Sequence, residues 1–168
     1  MTIASETRPD IRPATDHDRA AIWAVLEPVI RDDDTFALSR DMAAGDALAY
    51  WFAPGNDVFV AGDGGGIVGS YFLRANQRGG GAHVANCGYV TAVHARARGI
   101  ARAMCSHSLD HARARGFRAM QYNIVVSTNE RAVRLWQAMG FAIVGRLPCA
   151  FAHPTHGDVD ALVMYQAL

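Results

Sequence analysis

The sequence predicts a mixed α/β (α+β) domain: a central, mixed, mostly antiparallel sheet with helices on both faces. Three observations predict it. The stretch from Asp57 to Arg74 holds two short apolar runs separated by Gly62-Asp63-Gly64-Gly65-Gly66, the pattern of a hairpin. The stretch from Val84 to Ser127 reads as strand, helix, strand, which implies a parallel crossover. Ile22, Val25, Leu26, Val29 and Ile30 recur at helical spacing, and so do Ala132, Leu135, Trp136 and Met139. Each stripe needs a sheet face to cover.

Taken in order, Met1 to Pro9 is polar, has no signal-peptide core, and reads as a disordered lead-in (residues 1–9) to a single domain over residues 10–168. Asp10 to Pro13 is a short first strand. Thr15 is a helix N-cap, and Asp16 and Asp18 place negative charge at the first turn. Pro28 lies inside the apolar stripe that follows, so that helix is expected to kink or break one turn earlier. Arg31 to Thr35 is a polar connector, and Ser39 to Trp51 a second helix opened by Ser39. Asp57–Ala61 and Ile67–Arg74 are the hairpin strands. Their glycine run is not a phosphate loop, because no helix follows it. Gln77 to Gly81 is another hairpin loop. Then come a strand (Val84–Val93), a helix (Ala101–Arg115), a strand (Ala119–Ser127), a helix (Asn129–Met139) ended by Gly140, and strands at Ala142–Cys149 and Val159–Gln166.

Composition narrows the function classes. The 168 residues carry 16 basic and 16 acidic side chains, so there is no electrostatic footprint for nucleic acid or an anionic membrane. Arg113, Arg115 and Arg118 read as a solvated helix face. Cys87, Cys105 and Cys149 are odd in number and widely spaced, with no CxxC, which argues against a disulfide framework or a zinc site. No apolar run approaches the roughly 20 residues of a membrane span. The reading is a reducing, cytoplasmic location. His153-Pro154-Thr155-His156 offers two histidines and no third ligand, so no metal is expected.

Chemistry points first to Arg96-Ala97-Arg98-Gly99-Ile100-Ala101. A glycine-bearing turn between a strand and a helix start exposes backbone N–H groups that no helical carbonyl satisfies. With the positive end of the helix dipole, they suit a pyrophosphate. Ala101 would let phosphates come close, and Arg96, Arg98 and Arg102 add charge. A plain strand-to-helix turn has the same outline. Downstream stands Asn129-Glu130-Arg131-Ala132-Val133-Arg134-Leu135-Trp136-Gln137-Ala138-Met139-Gly140-Phe141.

With both stretches in this order, the chain resembles the GCN5-related N-acetyltransferase (GNAT) superfamily from about Ile11 to Leu168. Arg96, Gly99 and Ala101 match its Gln/Arg-x-x-Gly-x-Gly/Ala turn. Asn129, Ala132, Gly140 and Phe141 match its later helix motif. The resemblance implies the GNAT fold, with splayed strands 4 and 5 admitting a pantetheine arm, and acetyl-CoA as cosubstrate. The cofactor-binding residues it implies are Val93, Arg96, Arg98, Gly99, Ile100, Ala101, Arg102, Asn129 and Trp136. An oxyanion donor would come from a backbone N–H near Val90 to Val93.

Tyr50-Trp51-Phe52, Asn86-Cys87-Gly88-Tyr89, Asn123 to Asn129 and Val159-Asp160-Ala161 are similar to the fungal N-acetyltransferases of azetidine-2-carboxylate and other proline analogues. That likeness implies Asn86 and Asn123 as substrate-binding and Asn129 as catalytic or cofactor-binding. Amide NH₂ groups can donate to an amino-acid carboxylate, and the cyclic side chain would rest on Tyr89. Asparagine suits a strand interior poorly, and pattern alone favours Asn86 and Asn123 tying to a neighbouring backbone bulge and Asn129 as a plain N-cap, and leaves Tyr89 open as a core residue. Asp160 reads as a structural hydrogen-bonding group.

Many superfamily members have a tyrosine at the position of Trp136 and use it as the acid toward the thiolate. An indole N–H only donates and cannot do this at neutral pH. The expected function is therefore an acetyl-CoA-dependent N-acetyltransferase for a small amine, such as a toxic amino-acid analogue, with a detoxifying role. The open alternatives are another amine (an antibiotic or a protein N-terminus) and a non-catalytic acyl-CoA-binding module. The expected partner is the small-molecule amine, with no nucleic acid, no membrane, and a homodimer as the assembly carried forward.

Overall fold

The computed structural model describes residues 9–168; the lead-in expected over residues 1–9 lies outside them except for Pro9. Strands β1 (Asp10–Pro13), β2 (Asp57–Gly62), β3 (Ile67–Ala75), β4 (Val84–Thr91), β5 (Ala119–Val126), β6 (Ala142–His153) and β7 (Gly157–Ala167) form one sheet. Its order is β1-β2-β3-β4-β5-β7-β6. Every neighbouring pair is antiparallel except β4 and β5, which are parallel because the helix α3 (Ile100–Ala114) crosses between them. The GNAT architecture expected from the motifs is present.

Register settles which side chains share a face. Ser70, Phe72 and Arg74 of β3 oppose Val90, Gly88 and Asn86 of β4. On this face Trp51 of α2 (Ala44–Trp51) meets Phe72 edge-on with ring centroids 4.9 Å apart, and its Nε1 donates to Ser70 Oγ at 2.9 Å. Helix α1 (Arg19–Asp32) buries Ile22, Val25, Leu26, Val29 and Ile30 on the same side. The alternate residues Tyr71, Cys87 and Tyr89 face α3 and α4 (Glu130–Ala138): Tyr71 meets His107, and Tyr89 meets Trp136. Helices therefore cover both faces, as the two apolar stripes require.

Two expectations about the helices need correction. Helix α1 continues through Pro28 to Asp32, and Asp33 ends it in the left-handed region at φ 56°. Val25 and Leu26 before the proline and Val29 and Ile30 after it are all buried. Their packing offsets the lost N–H bond, a cost of about 3 kcal/mol. Ser39 does not open the second helix. Its hydroxyl donates to Asp41, its carbonyl closes a turn with Met42 N–H at 2.9 Å, and α2 starts only at Ala44. Short polar side chains divert the backbone into such local turns. The expected strand end at Cys149 also falls short, since β6 runs on to His153 past irregular register around residues 147–151.

The feature that makes the site is a failure of pairing. β4 and β5 share only two rungs, Val84/Ala119 and Ala85/Met120. Beyond them β5 stays with β7, from Ala119/Ala167 to Val126/Ala161, with a bulge between Tyr122 and Val125. The strands splay, and a cleft opens between them.

Candidate active site

The cleft is the wall of a cavity of about 760 Å³ that runs from the start of α3 to the loop after α1. One end is the turn before α3. Gly99 takes φ 77°, and Ala97 takes φ 66°, unusual for a residue with a Cβ. The first helical bond of α3 is Ala103 N–H to Gly99 O at 3.0 Å, which leaves the N–H groups of Ile100, Ala101 and Arg102 without helical acceptors. No side chain caps this end, and no acidic residue stands in its first turn. A Cβ placed on Gly99 would meet nothing within 4 Å, so the space over the turn is open.

Arg96, Gly99, Ile100, Ala101 and Arg102 all line the cavity; Val93 and Arg98 do not. Val93 is half exposed in a 3₁₀ turn. Arg98 is drawn to Asp63 in the β2–β3 glycine hairpin, at 3.0 Å. The Asp63 carboxyl is held below its ordinary range by Gly65 N–H first, with Arg98 adding to the effect. Arg96, Arg102 and Arg131, all at the cavity, pair with no carboxylate among the described residues. The turn thus presents free N–H groups, a helix dipole and unpaired guanidinium groups, a donor set that fits a pyrophosphate.

Along the cleft, β4 offers its own backbone. Val84 O accepts from Asn76 N–H, and Ala92 N–H donates to Val68 O, so even-numbered positions of β4 address β3. The odd positions Cys87, Tyr89 and Thr91 then turn their N–H groups toward the cleft, where β5 has left. At the base of the splay, Asn86 Nδ2 donates to Gln121 O at 3.0 Å. This side chain takes the place of the next missing rung and pins the point where the strands part.

On the α3/α4 side, Asn129 is the N-cap of α4, its Oδ1 accepting from Ala132 N–H at 3.2 Å. It also lines the cavity, and its amide nitrogen has no partner among the described residues. Trp136 lies against Tyr89, with centroids 5.0 Å apart, and against Tyr122 at 5.2 Å. The Tyr89 hydroxyl is turned inward to Ser108 Oγ at 2.7 Å and Tyr122 Oη at 2.9 Å. Burial pushes both phenols well above their ordinary range. The thiol of Cys87, also in the cavity wall, is pushed up to about 12 by burial, so it is no thiolate nucleophile near neutral pH.

On the α1/α2 side stand Asn86, Asn123, Tyr50 and three residues to which the sequence gives no role: Phe36, Phe72 and Arg74. Asn123 lies in the β5 bulge. Its Nδ2 donates to Asn76 Oδ1 at 2.7 Å and its Oδ1 accepts from Gln121 Nε2 at 2.9 Å. Tyr89 sits on the other face from Asn86, so the aromatic surface beside Asn86 is formed by Phe72 and Tyr50, edge-on at 5.8 Å. His153 also reaches the cavity, its Nδ1 accepting from Thr155 N–H at 3.2 Å. Among the described residues no group of three or more His, Cys, Asp or Glu is gathered to hold a metal. No helix among them is long and apolar enough to cross a membrane. Asp160 lies outside the cavity wall, bonding Arg146 at 2.7 Å and Cys149 N–H at 3.0 Å as a structural group.

The site is thus a mixed sheet split at its one parallel pair, with an uncapped helix start beside the split. The family model for the acetyltransferase (GNAT) family matches residues 18–141, and the chain belongs to that family. The structure of a GCN5-related N-acetyltransferase from Kribbella flavida superposes with a TM-score of 0.92 at 39% identity, covering 98% of this chain and 100% of that one. A phosphinothricin acetyltransferase from Sinorhizobium meliloti, solved in complex with acetyl-CoA, gives a TM-score of 0.84 over 96% of this chain and 89% of its own. At 19% identity it shows a shared fold. The N-acetyltransferase aca1 of Schizosaccharomyces pombe is 30% identical over 98 residues, 58% of this chain. The match spans 47% of that protein, less than half its length.

Proposed function

We propose that this chain is an acetyl-CoA-dependent N-acetyltransferase for a small amine. The observation that carries the reading is the splay of β4 from β5, which joins an uncapped helix start to an aromatic and amide-lined pocket through one cavity. The turn residues Arg96 and Gly99 to Arg102, with Arg131, would hold the diphosphate. Acetyl-CoA supplies an activated thioester carbonyl. The cleft-facing N–H groups of β4, those of Tyr89 and Thr91 in particular, would donate to a developing oxyanion. Holding an amine on one side of the cleft and a carbonyl on the other gives the proximity term, which reaches effective molarities of roughly 10⁵–10⁸ M in the best cases. Asn129 orients the amine, a water or the pantetheine arm with its free amide nitrogen. The finer reading is that the amine is an amino acid of the proline-analogue type.

Trp136 supports a second reading, a binding module without turnover. Its indole stands where an acid would be needed, and the nearby phenols are bonded to each other, to Ser108 and to Cys105. Thiol release from acetyl-CoA across a panel of amines separates the two. Release in step with acetylated product supports the enzyme. Tight acetyl-CoA binding with no release for any amine supports the module. The homodimer reading rests on Ile143, Val144 and Leu147, exposed on the edge strand β6.

A further inference from the structure

The two asparagines on the amine side leave a question of charge. If the substrate carries a carboxylate, something must meet it in a cleft partly shut off from water, where an unpaired charge is costly. Asn86 already donates to Gln121 O and Asn123 to Asn76 Oδ1, so each has one amide hydrogen left. Neither carries charge. Arg74 does. It lines the same cavity, is only partly exposed, and forms neither a hydrogen bond nor an ion pair among the described residues. Its guanidinium carbon lies 5.1 Å from the Phe72 ring centroid and 5.8 Å from that of Tyr50. Stacked so, it keeps its edge, and the donors on it, free for a bidentate partner.

Its place also separates it from the cosubstrate end. Arg74 opposes Asn86, and the strand β4 continues five residues beyond Asn86 to Thr91 before the turn that leads to α3. That is about 17 Å at 3.3 Å per residue, and Arg74 lies on the opposite face of the sheet from α3. The diphosphate site therefore does not explain this cation. Phe72, beneath it, opposes Gly88, where an added Cβ would come within 2.5 Å of the ring. The missing side chain at Gly88 thus lets Phe72 lie against the β4 backbone, and a group held over Phe72 is about one strand repeat, roughly 7 Å, from Val90. An α-amino acid held by its carboxylate at the guanidinium carries its amine part of the way across this gap, toward a carbonyl held at the splayed backbone. Asp34, on the loop after α1, is the acidic group at this end of the cavity and forms no ion pair with Arg74. The two opposite charges match a zwitterion.

We infer that Arg74 is the carboxylate anchor of the acceptor site, making the substrates α-amino or cyclic imino acids rather than plain amines. The inference rests on the acetyltransferase reading above. The test uses the full chain and pairs of probes: azetidine-2-carboxylate, proline and a set of α-amino acids, each beside its carboxamide. Wild type should prefer acids over their carboxamides. Arg74→Gln should raise KM for the acids by about 10–100-fold, the loss expected for a charged hydrogen-bonded contact, and bring the acid-to-amide ratio near one. Arg74→Lys should recover part of that ratio. The acetyl-CoA Kd and the melting temperature should stay at wild-type values in both. Asn86→Ala and Asn123→Ala should each cost less than Arg74→Gln. Equal turnover of acids and carboxamides by wild type, or an unchanged ratio in Arg74→Gln, overturns the anchor while leaving the acetyltransferase reading intact. Acetyl-CoA binding with no turnover of any amine removes that reading, and the anchor with it.

Discussion

Ala101→Glu tests the anion site at the start of α3 with the sign of one charge. Ala101 is the second helical residue after the Gly99 cap, and its N–H is among those left open. A glutamate there points its carboxylate at the same N–H groups a diphosphate would use. At a separation of about 5 Å and an effective dielectric of about 20, two negative charges repel by about 3 kcal/mol, or roughly 100-fold in Kd. The same carboxylate is favourable to the helix itself, by about 0.3–1 kcal/mol, because the first turn of α3 holds no acid. The variant should therefore lose acetyl-CoA while keeping or slightly raising its melting temperature. Ala101→Gln has the same size without the charge and should lose much less. Calorimetric titration with acetyl-CoA at low and moderate salt, beside thermal melts, reads all three quantities. A folded Ala101→Glu with wild-type affinity would refute the assignment of this turn.

Other outcomes follow from the same geometry. Trp136→Phe should keep most of kcat, since it retains the ring against Tyr89 and removes only the indole donor; a collapse at unchanged acetyl-CoA affinity would make the indole N–H essential. Asn129→Ala should cost about 1 kcal/mol of stability as a lost cap and about tenfold in kcat as a lost donor. Asn129→Ser restores the cap, so it should restore the melting temperature without restoring kcat. The profile of kcat/KM against pH should rise as the amine loses its proton and show no falling limb up to about pH 10, because Tyr89 and Tyr122 are held above the ordinary phenol value of about 10. A falling limb near pH 9 that Tyr122→Phe abolishes would contradict this. Asp18 accepts two bonds from Arg12 at 2.8 Å and one from Thr15 N–H at 2.7 Å, and the Arg12 bonds hold its carboxyl far below its ordinary range. A depressed folded value stabilises above the unfolded value near 4 and is lost as pH falls below it. Asp18→Asn should cost about 1–2 kcal/mol at pH 7, with solvent screening of the half-exposed Arg12 counted, and the gap should narrow by pH 3 in thermal melts.

Much of this architecture was legible in local pattern. The hairpin glycines, the crossover helix and the stripe of α4 each carry their signal within a dozen residues, and α3 and α4 begin within one residue of where they were expected. The turn at Gly99 was legible because a positive φ and an uncapped helix leave a trace in residue type. Ser39 and Pro28 misled for one reason: local propensity is a weak term, and a bond to Asp41 or the packing of Val25 through Ile30 outweighs it. The acceptor pocket was less legible. Arg74 is one arginine near the end of a strand, and nothing beside it in sequence tells that Phe72, Tyr50 and Asn86 surround it. That follows from the β3–β4 register and from where α2 docks. Asn123 was noticed as odd in a strand, and the oddness is explained by the bulge it occupies.

The two-rung contact between β4 and β5 makes the sheet two plates on one short hinge. β1 through β4 form one plate, and β5, β7 and β6 the other, each laced by antiparallel ladders. Something about as thick as one strand, with its own alternating donors and acceptors, can slide between them without breaking a single backbone bond. Once there it would act as an eighth strand, taking up the edge groups at Cys87, Tyr89 and Thr91 and binding the plates together. The guest would join a frame already tied across its base, where Asn86 bonds Gln121 O, Asn123 bonds Asn76 and the Tyr89 hydroxyl meets that of Tyr122: side chains hold the two plates at a fixed spacing, and the backbone ladder between them is left for the guest to complete.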